Sequence, residues 1–378
     1  MKLFYGEQEI ELKLPPSVPY KVLENKIVKP LPDPVNSILE ALRNPIGISP
    51  LRQIVRAGES IAILVNDNTR VARSELFLPL IVDELRKSGI KEKDIFIVFA
   101  NGSHRSLSPS EMVEIVGHDL SERLKLYNHD SINKQELKYF GVTRHNTPIY
   151  VNKRVAAADR RILTGSVLHH YFAGFGGGRK ALIPGVAGWE TIQKNHSLLL
   201  EDNACTGKLV GNPLHEDLLE AAQMVGADFL FNTVLNEAGN IIGVFAGDLI
   251  KAHTKACEMV NEVNGVGIDR LADVVIASCG GHPKDINLYQ AHKTLDHALS
   301  ALKPGGQLIL LARCPEGIGS DGYRDWVFKY NNLKDIEKAL RKNFVLGGHK
   351  AYTVGRLLDK AIVYLVSDLS SEIALKFG

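Results

Sequence analysis

Strand-length apolar runs alternate with helix-period patterns along nearly the whole chain, and each run stops near Gly, Asn, Asp or Ser. This rhythm is that of βαβ units and a mainly parallel sheet. The clearest runs are 61–65, 95–100, 162–167, 274–278, 307–312 and 362–366. A chain of 378 residues exceeds one ordinary domain. The expected fold is therefore two α/β domains with mainly parallel sheets. Gly and Asn interrupt a helical pattern at Val263-Asn264-Gly265-Val266-Gly267, which puts the expected domains at 1–265 and 266–378.

Charge narrows the partners. Lys and Arg number 45 against 43 Asp and Glu, a net +2. That balance carries no footprint of a nucleic-acid or membrane-surface protein, so a small-molecule ligand is expected. No stretch reaches the ~18–20 apolar residues of a membrane span, and the start, MKLFYGEQEIELKLPP, alternates like a strand. A cytoplasmic chain is expected. Cys205, Cys257, Cys279 and Cys314 form no C-x-x-C pair, so neither a zinc site nor a disulfide framework is indicated.

Ligands of open α/β sheets bind beyond the carboxyl ends of strands, and the polar clusters of this chain fall there. Asp67-Asn68-Thr69-Arg70, Asn101-Gly102-Ser103-His104-Arg105, His169-His170 and Gly280-Gly281-His282-Pro283 each follow an apolar run. The third opens the most unusual segment, which ends in Gly174-Phe175-Gly176-Gly177-Gly178-Arg179-Lys180. Gly176, Gly177 and Gly178 permit close backbone approach and free N–H groups that can cradle an anion. Lys180 then reads as a reactive lysine. The spacing is not that of a Walker A loop, because Arg179 stands where its second glycine belongs and Ala181 replaces the magnesium-binding Ser or Thr.

His104, His170 and His196 lie beside strand ends or the glycine loop, and imidazole serves both as metal ligand and as a base near neutral pH. Farther along, Asp285 is expected to cap a helix with the apolar stripe Leu288, Leu295, Leu299 and Leu302. Tyr289 and Lys293 share a face one turn apart there. A phenol and an ammonium side by side suit a carboxylate.

Taken together, these motifs resemble the nickel-dependent lactate racemase family. The resemblance rests on Asp67-x-Thr-Arg70, Gly102-x-His104-Arg105, the His169-His170 to Lys180 segment, Pro184-Gly185-x-Ala-Gly188, Thr191-Ile192-x-x-Asn195-His196 and Asn287-Leu-Tyr289-Gln290-x-x-Lys293. It implies an active-site cleft between two domains and a nickel-pincer cofactor, a pyridinium mononucleotide with two sulfur-bearing arms. By the same resemblance Lys180 tethers that cofactor through a thioamide and His196 ligates the nickel. His104 and His170 are the acid/base pair, Asp67 and Arg70 help hold the cofactor, and Tyr289, Gln290 and Lys293 bind the substrate. The implied reaction racemises or epimerises a 2-hydroxy acid by reversible hydride transfer, after separate biosynthesis proteins have supplied the cofactor.

Departures from the pattern are the missing proline after Arg70, the extra Arg179 and the presence of His292 beside Lys293. Added positive charge would suit a second carboxylate, as in malate. The competing expectation is a zinc hydrolase with His104, His170 and His196 as ligands. A pyridoxal-phosphate enzyme using Lys180, or a cofactor-storage protein without turnover, would also fit parts of the pattern.

Overall fold

In a computed structural model of the chain, which describes residues 1–24, 26–345 and 347–377, the apolar runs become strands of two parallel sheets. Contacts divide the chain into two compact units, one of Asn25–Gly265 and the other of Met1–Glu24 with Val266–Gly378. The sequence reading put residues 1–24 with the first domain. They belong to the second unit because Gly6, in the turn between Lys2–Tyr5 and Gln8–Glu11, donates its N–H to Asp285 at 2.7 Å.

The main sheet of the first unit has six strands: β1 (Ile61–Asn66), β2 (Ile95–Ala100), β3 (Lys125–Asn128), β4 (Arg160–Ser166), β5 (Phe229–Leu235) and β6 (Ile241–Gly247). Their order is β6-β5-β4-β1-β2-β3, parallel throughout except for β6. Read from the other edge this is 3-2-1-4-5-6, the doubly wound order whose direction reverses between β1 and β4. Ile61–Val65 of β1 is buried along its whole length, as a central strand covered on both faces must be. Helix α1 (Ser74–Lys87) lays Phe77, Ile81 and Leu85 on this sheet with Phe99 and Phe231.

Three strands make the second sheet in the order β7 (Ala272–Ser278), β8 (Leu302–Leu311) and β9 (Ile362–Val366), all parallel. Two local expectations fail here. Helix α2 (Leu288–Leu299) is capped by Asn287, whose side chain accepts the Gln290 N–H at 3.1 Å. Asp285 is instead tied to the N–H groups of Gly6 and Arg313. Leu302 does not extend the helical stripe; it opens β8 and pairs with Ala272. Among the described residues no helix is long and apolar enough to cross a membrane. All four cysteines are free, with Cys205 exposed and the other three buried.

The Phe77 and Phe231 rings lie 4.6 Å apart at the centre of the first core. Replacing Phe231, which is fully buried, by Ala is expected to cost about 3–5 kcal/mol. Urea denaturation checks this; a midpoint unchanged from wild type would contradict the packing described.

Candidate active site

The ends of β1, β2 and β4 gather at the switch point of the first sheet and present the expected residues there. Asp67, the first residue beyond β1, is buried and accepts three hydrogen bonds. Thr69 gives two, from N–H at 3.1 Å and Oγ1 at 2.6 Å, and the third is a 2.5 Å contact with Nδ1 of His104 beyond β2. Burial alone would raise the Asp67 carboxyl, but the bonds from His104 and Thr69 outweigh it and hold the group below the ordinary carboxylate range. An ionised Asp67 fixes the His104 proton on Nδ1, so Nε2 keeps a lone pair on a half-exposed ring.

Beyond β4, His169 and His170 pair antiparallel with Phe175 and Gly174 in a two-residue hairpin. The chain then tightens. Gly174, Gly177 and Gly178 have positive φ, and a Cβ on any of them would collide with Lys208, Val167 or the His253 ring at 2.1–2.7 Å. Their N–H groups are partly spent within the protein. Gly176 donates to the Leu168 carbonyl at 2.8 Å and Gly178 to the Asn232 side chain at 2.9 Å. The expected cradle of successive free N–H groups is therefore not formed by Gly176 and Gly178, whose positions are set by internal packing.

The short 3-10 helix that follows, Gly178–Ala181, carries Lys180. Its Nζ lies 5.7 Å from the ring centroid of buried Phe172. The same ring meets His170 edge-on at 4.4 Å and His196 at 5.3 Å. Phe172, which lies within the His169-His170 to Lys180 segment, is thus the common neighbour of the three groups. His196 sits in the last turn of the helix Trp189–Ser197. That helix is anchored by Asn195, which donates to the buried Asp217 carboxylate at 2.8 Å.

Electrostatics around Phe172 run one way. Burial pushes Lys180 well below the usual lysine value, and the positive charges of Arg179 and Arg70 push it further. Burial likewise lowers His170 well below neutrality, assisted by Lys180, His196 and Arg70. His170 accepts the Ala173 N–H at Nδ1, 3.3 Å away, so its neutral ring carries the proton on Nε2. The extra Arg179 is 0% exposed and is held by the Ala173 carbonyl at 2.8 Å and His253 at 3.2 Å. It therefore tunes the loop and offers no guanidinium to a substrate. Among the described residues no three His, Cys, Asp or Glu are gathered as a metal ligand set, which removes the support for a three-histidine zinc hydrolase.

In the second unit α2 carries Tyr289, Gln290 and Lys293. His292 faces inward, buried, with Nε2 3.3 Å from the Tyr323 hydroxyl. Burial holds it well below its ordinary value, so it adds no positive charge. Of the expected site residues, Asp67, Arg70, His104, His170, Lys180 and His196 are thus first-unit residues, and Tyr289, Gln290 and Lys293 are second-unit residues.

The family model described as lactate racemase N-terminal domain matches residues 5–207, and that described as lactate racemase C-terminal domain matches 268–376. The lactate racemase of Thermoanaerobacterium thermosaccharolyticum is 33% identical over 372 residues, covering 96% of this chain and 87% of that protein. The lactate racemase of Lactiplantibacillus plantarum is 35% identical over 304 residues, 80% of this chain and 70% of that one. The structure of the T. thermosaccharolyticum lactate racemase apoprotein superposes with a TM-score of 0.89 at 32% identity, covering 100% of this chain and 90% of that one. A Thermotoga maritima protein of 20% identity superposes at 0.67, over 93% of this chain and 92% of that one, and shares the fold.

An amine whose charged form is disfavoured by burial is unprotonated more often than an exposed lysine, and so more nucleophilic. Limiting acetic anhydride at pH 7 is expected to acylate Lys180 of the cofactor-free chain ahead of exposed lysines such as Lys293, as read by peptide mass mapping. Labelling of Lys180 no faster than that of exposed lysines would contradict the desolvated amine.

Proposed function

The chain belongs to the lactate racemase family, and on that premise we propose that it inverts C2 of a lactate-like 2-hydroxy acid with a nickel-pincer nucleotide tethered to Lys180. It is an isomerase of the racemase class. The observation that carries the finer reading is the grouping of Lys180, His170 and His196 around the one buried ring of Phe172.

The residues fit such a group. A thioamide forms from a neutral amine, and burial together with Arg179 and Arg70 favours the neutral form of Lys180. Imidazole suits nickel, and His196 is the imidazole nearest this lysine's aromatic partner other than His170. His196 would hold a nickel ion here, and a sulfur-bearing organic ligand would supply its remaining donors, since no set of three protein ligands is gathered among the described residues. Asp67 and Arg70 would border the group from the β1 end. When bound, it would supply an acceptor that takes hydride from C2 and returns it.

The side chains account for the proton. His104 takes the hydroxyl proton on Nε2 while Asp67 balances the imidazolium that results. His170 begins from the opposite tautomer, with its proton on Nε2 and Nδ1 occupied by the Ala173 N–H. One ring thus starts as proton acceptor and the other as a hydrogen-bond donor to the C2 oxygen. His170 would serve as acid only after taking up a second proton; otherwise the proton returns to the product oxygen from the His104 imidazolium. Tyr289, Gln290 and Lys293 would hold the carboxylate end so that only the planar centre turns over.

Chain co-produced with the cofactor-synthesis proteins is expected to gain a mononucleotide-sized mass together with nickel, both lost in Lys180→Ala. Intact-protein mass and metal analysis read both. Stoichiometric zinc without an adduct would overturn the proposal.

A further inference from the structure

Asn212, the residue before the helix Pro213–Val225, is fully buried. Its side chain uses both amide protons and both oxygen lone pairs. Oδ1 accepts the N–H groups of Leu214 at 3.1 Å and His215 at 3.2 Å, which caps the helix. Nδ2 donates to the carbonyls of Phe172 at 2.9 Å and Lys208 at 3.1 Å. Asp or Ser would cap the helix as well as Asn does, but neither can give two protons to two carbonyls. Capping therefore accounts for only half of this side chain. The other half reaches the turn of the hairpin that carries His170. The Phe172 carbonyl belongs to the same peptide unit as the Ala173 N–H, the group that His170 accepts at Nδ1. A trans peptide unit is planar, with its C=O and N–H pointing opposite ways. Fixing the carbonyl on one side thus aims the N–H on the other.

We propose that Asn212 is a positioning residue for His170, acting through the Phe172–Ala173 peptide to keep the ring proton on Nε2. Its catalytic consequence rests on the racemase reading above: Nε2–H is the donor assigned there to the C2 oxygen, and the other tautomer would offer that oxygen a lone pair instead. The next peptide is pinned as well, because the Ala173 carbonyl accepts from Arg179 at 2.8 Å. The helix that Asn212 caps also carries Asp217, which holds Asn195 beside His196. One helix thus supports the segments of both histidines.

The test reads the imidazole nitrogens of the cofactor-free chain at pH 8 by NMR, with histidine isotope-labelled on nitrogen and His170 assigned through His170→Gln. Wild type is expected to show Nε2–H at His170 and Nδ1–H at His104. Asn212→Asp and Asn212→Ser both keep a cap but lose the paired donation to the carbonyls. In each, the ratio of Nε2–H to Nδ1–H at His170 is expected to fall at least 3-fold with His104 unchanged. A merely structural role would lower the melting temperature of the variants and leave that ratio alone, which overturns the proposal. Should neither variant fold, the wild-type spectrum decides: Nε2–H at His170 sustains the proposal and Nδ1–H overturns it. Cofactor-loaded Asn212→Asp is then assayed on whichever of lactate, malate and gluconate the wild type inverts fastest. Its kcat is expected to fall at least 10-fold with KM changed less than 3-fold and the Lys180 adduct retained, and an unchanged kcat overturns the catalytic consequence. If wild type inverts none of the acids, the racemase reading fails separately, and the NMR ratio still decides whether Asn212 positions His170.

Discussion

Desolvation of basic groups is the constraint from which the chemistry of the first unit follows. Lys180, His170, Arg179 and His253 all have their charged forms disfavoured by burial, and the charged neighbours that act on Lys180 and His170 are cations or histidines. Ordinary proteins pair buried cations with carboxylates. Here burial disfavours the charged forms of an amine and an imidazole, which favours acylation of the one and leaves the other a hydrogen-bond donor at Nε2. The Asp67 carboxylate is shared by His104 and Thr69. Two histidines of similar intrinsic chemistry therefore enter the site in different tautomers, set by a carboxylate in one case and a backbone N–H in the other.

The fold brings these groups together through strand order more than through loop design. Because the strand order reverses between the parallel neighbours β1 and β4, the connections leaving those strands run to opposite faces of the sheet, which leaves room between them. The loop after β4 is then held from beneath by β5, where Asn232 accepts the Gly178 N–H and donates to the Gly165 carbonyl at 3.1 Å. A polar residue inside a buried strand thus fixes the backbone that carries Lys180. On the other flank, Asp217 holds the helix of His196 through Asn195.

Strands made of unbroken apolar residues were legible, and so were the polar clusters after them: β2 and β9 have the expected bounds, and β1, β4 and β7 differ by at most two residues at either end. Strand β5 escaped because Asn232 and Thr233 break its pattern, and both are polar for tertiary reasons that no local period records. Asp285 was taken for the helix cap because Asp and Asn cap equally well; its real partner, Gly6, lies 279 residues away. Leu302 keeps the helical period by coincidence, while Pro304, Gly305 and Gly306 bar the helix from continuing and the apolar run after them carries the strand. Residues with motif context could be nominated from sequence. Phe172 could not, since an aromatic beside a glycine loop looks ordinary until burial shows what surrounds it.

The central claim is that C2 loses and regains its hydrogen as hydride, with only the hydroxyl proton passing through histidine. The most direct measurement is the fate of deuterium at C2 of a 2-deuterated 2-hydroxy acid during inversion in ordinary water by cofactor-loaded enzyme. Retention of the label at C2 in the inverted product is the predicted result. Exchange of that deuterium for solvent hydrogen at the rate of inversion would contradict the account and make C2 a carbon acid.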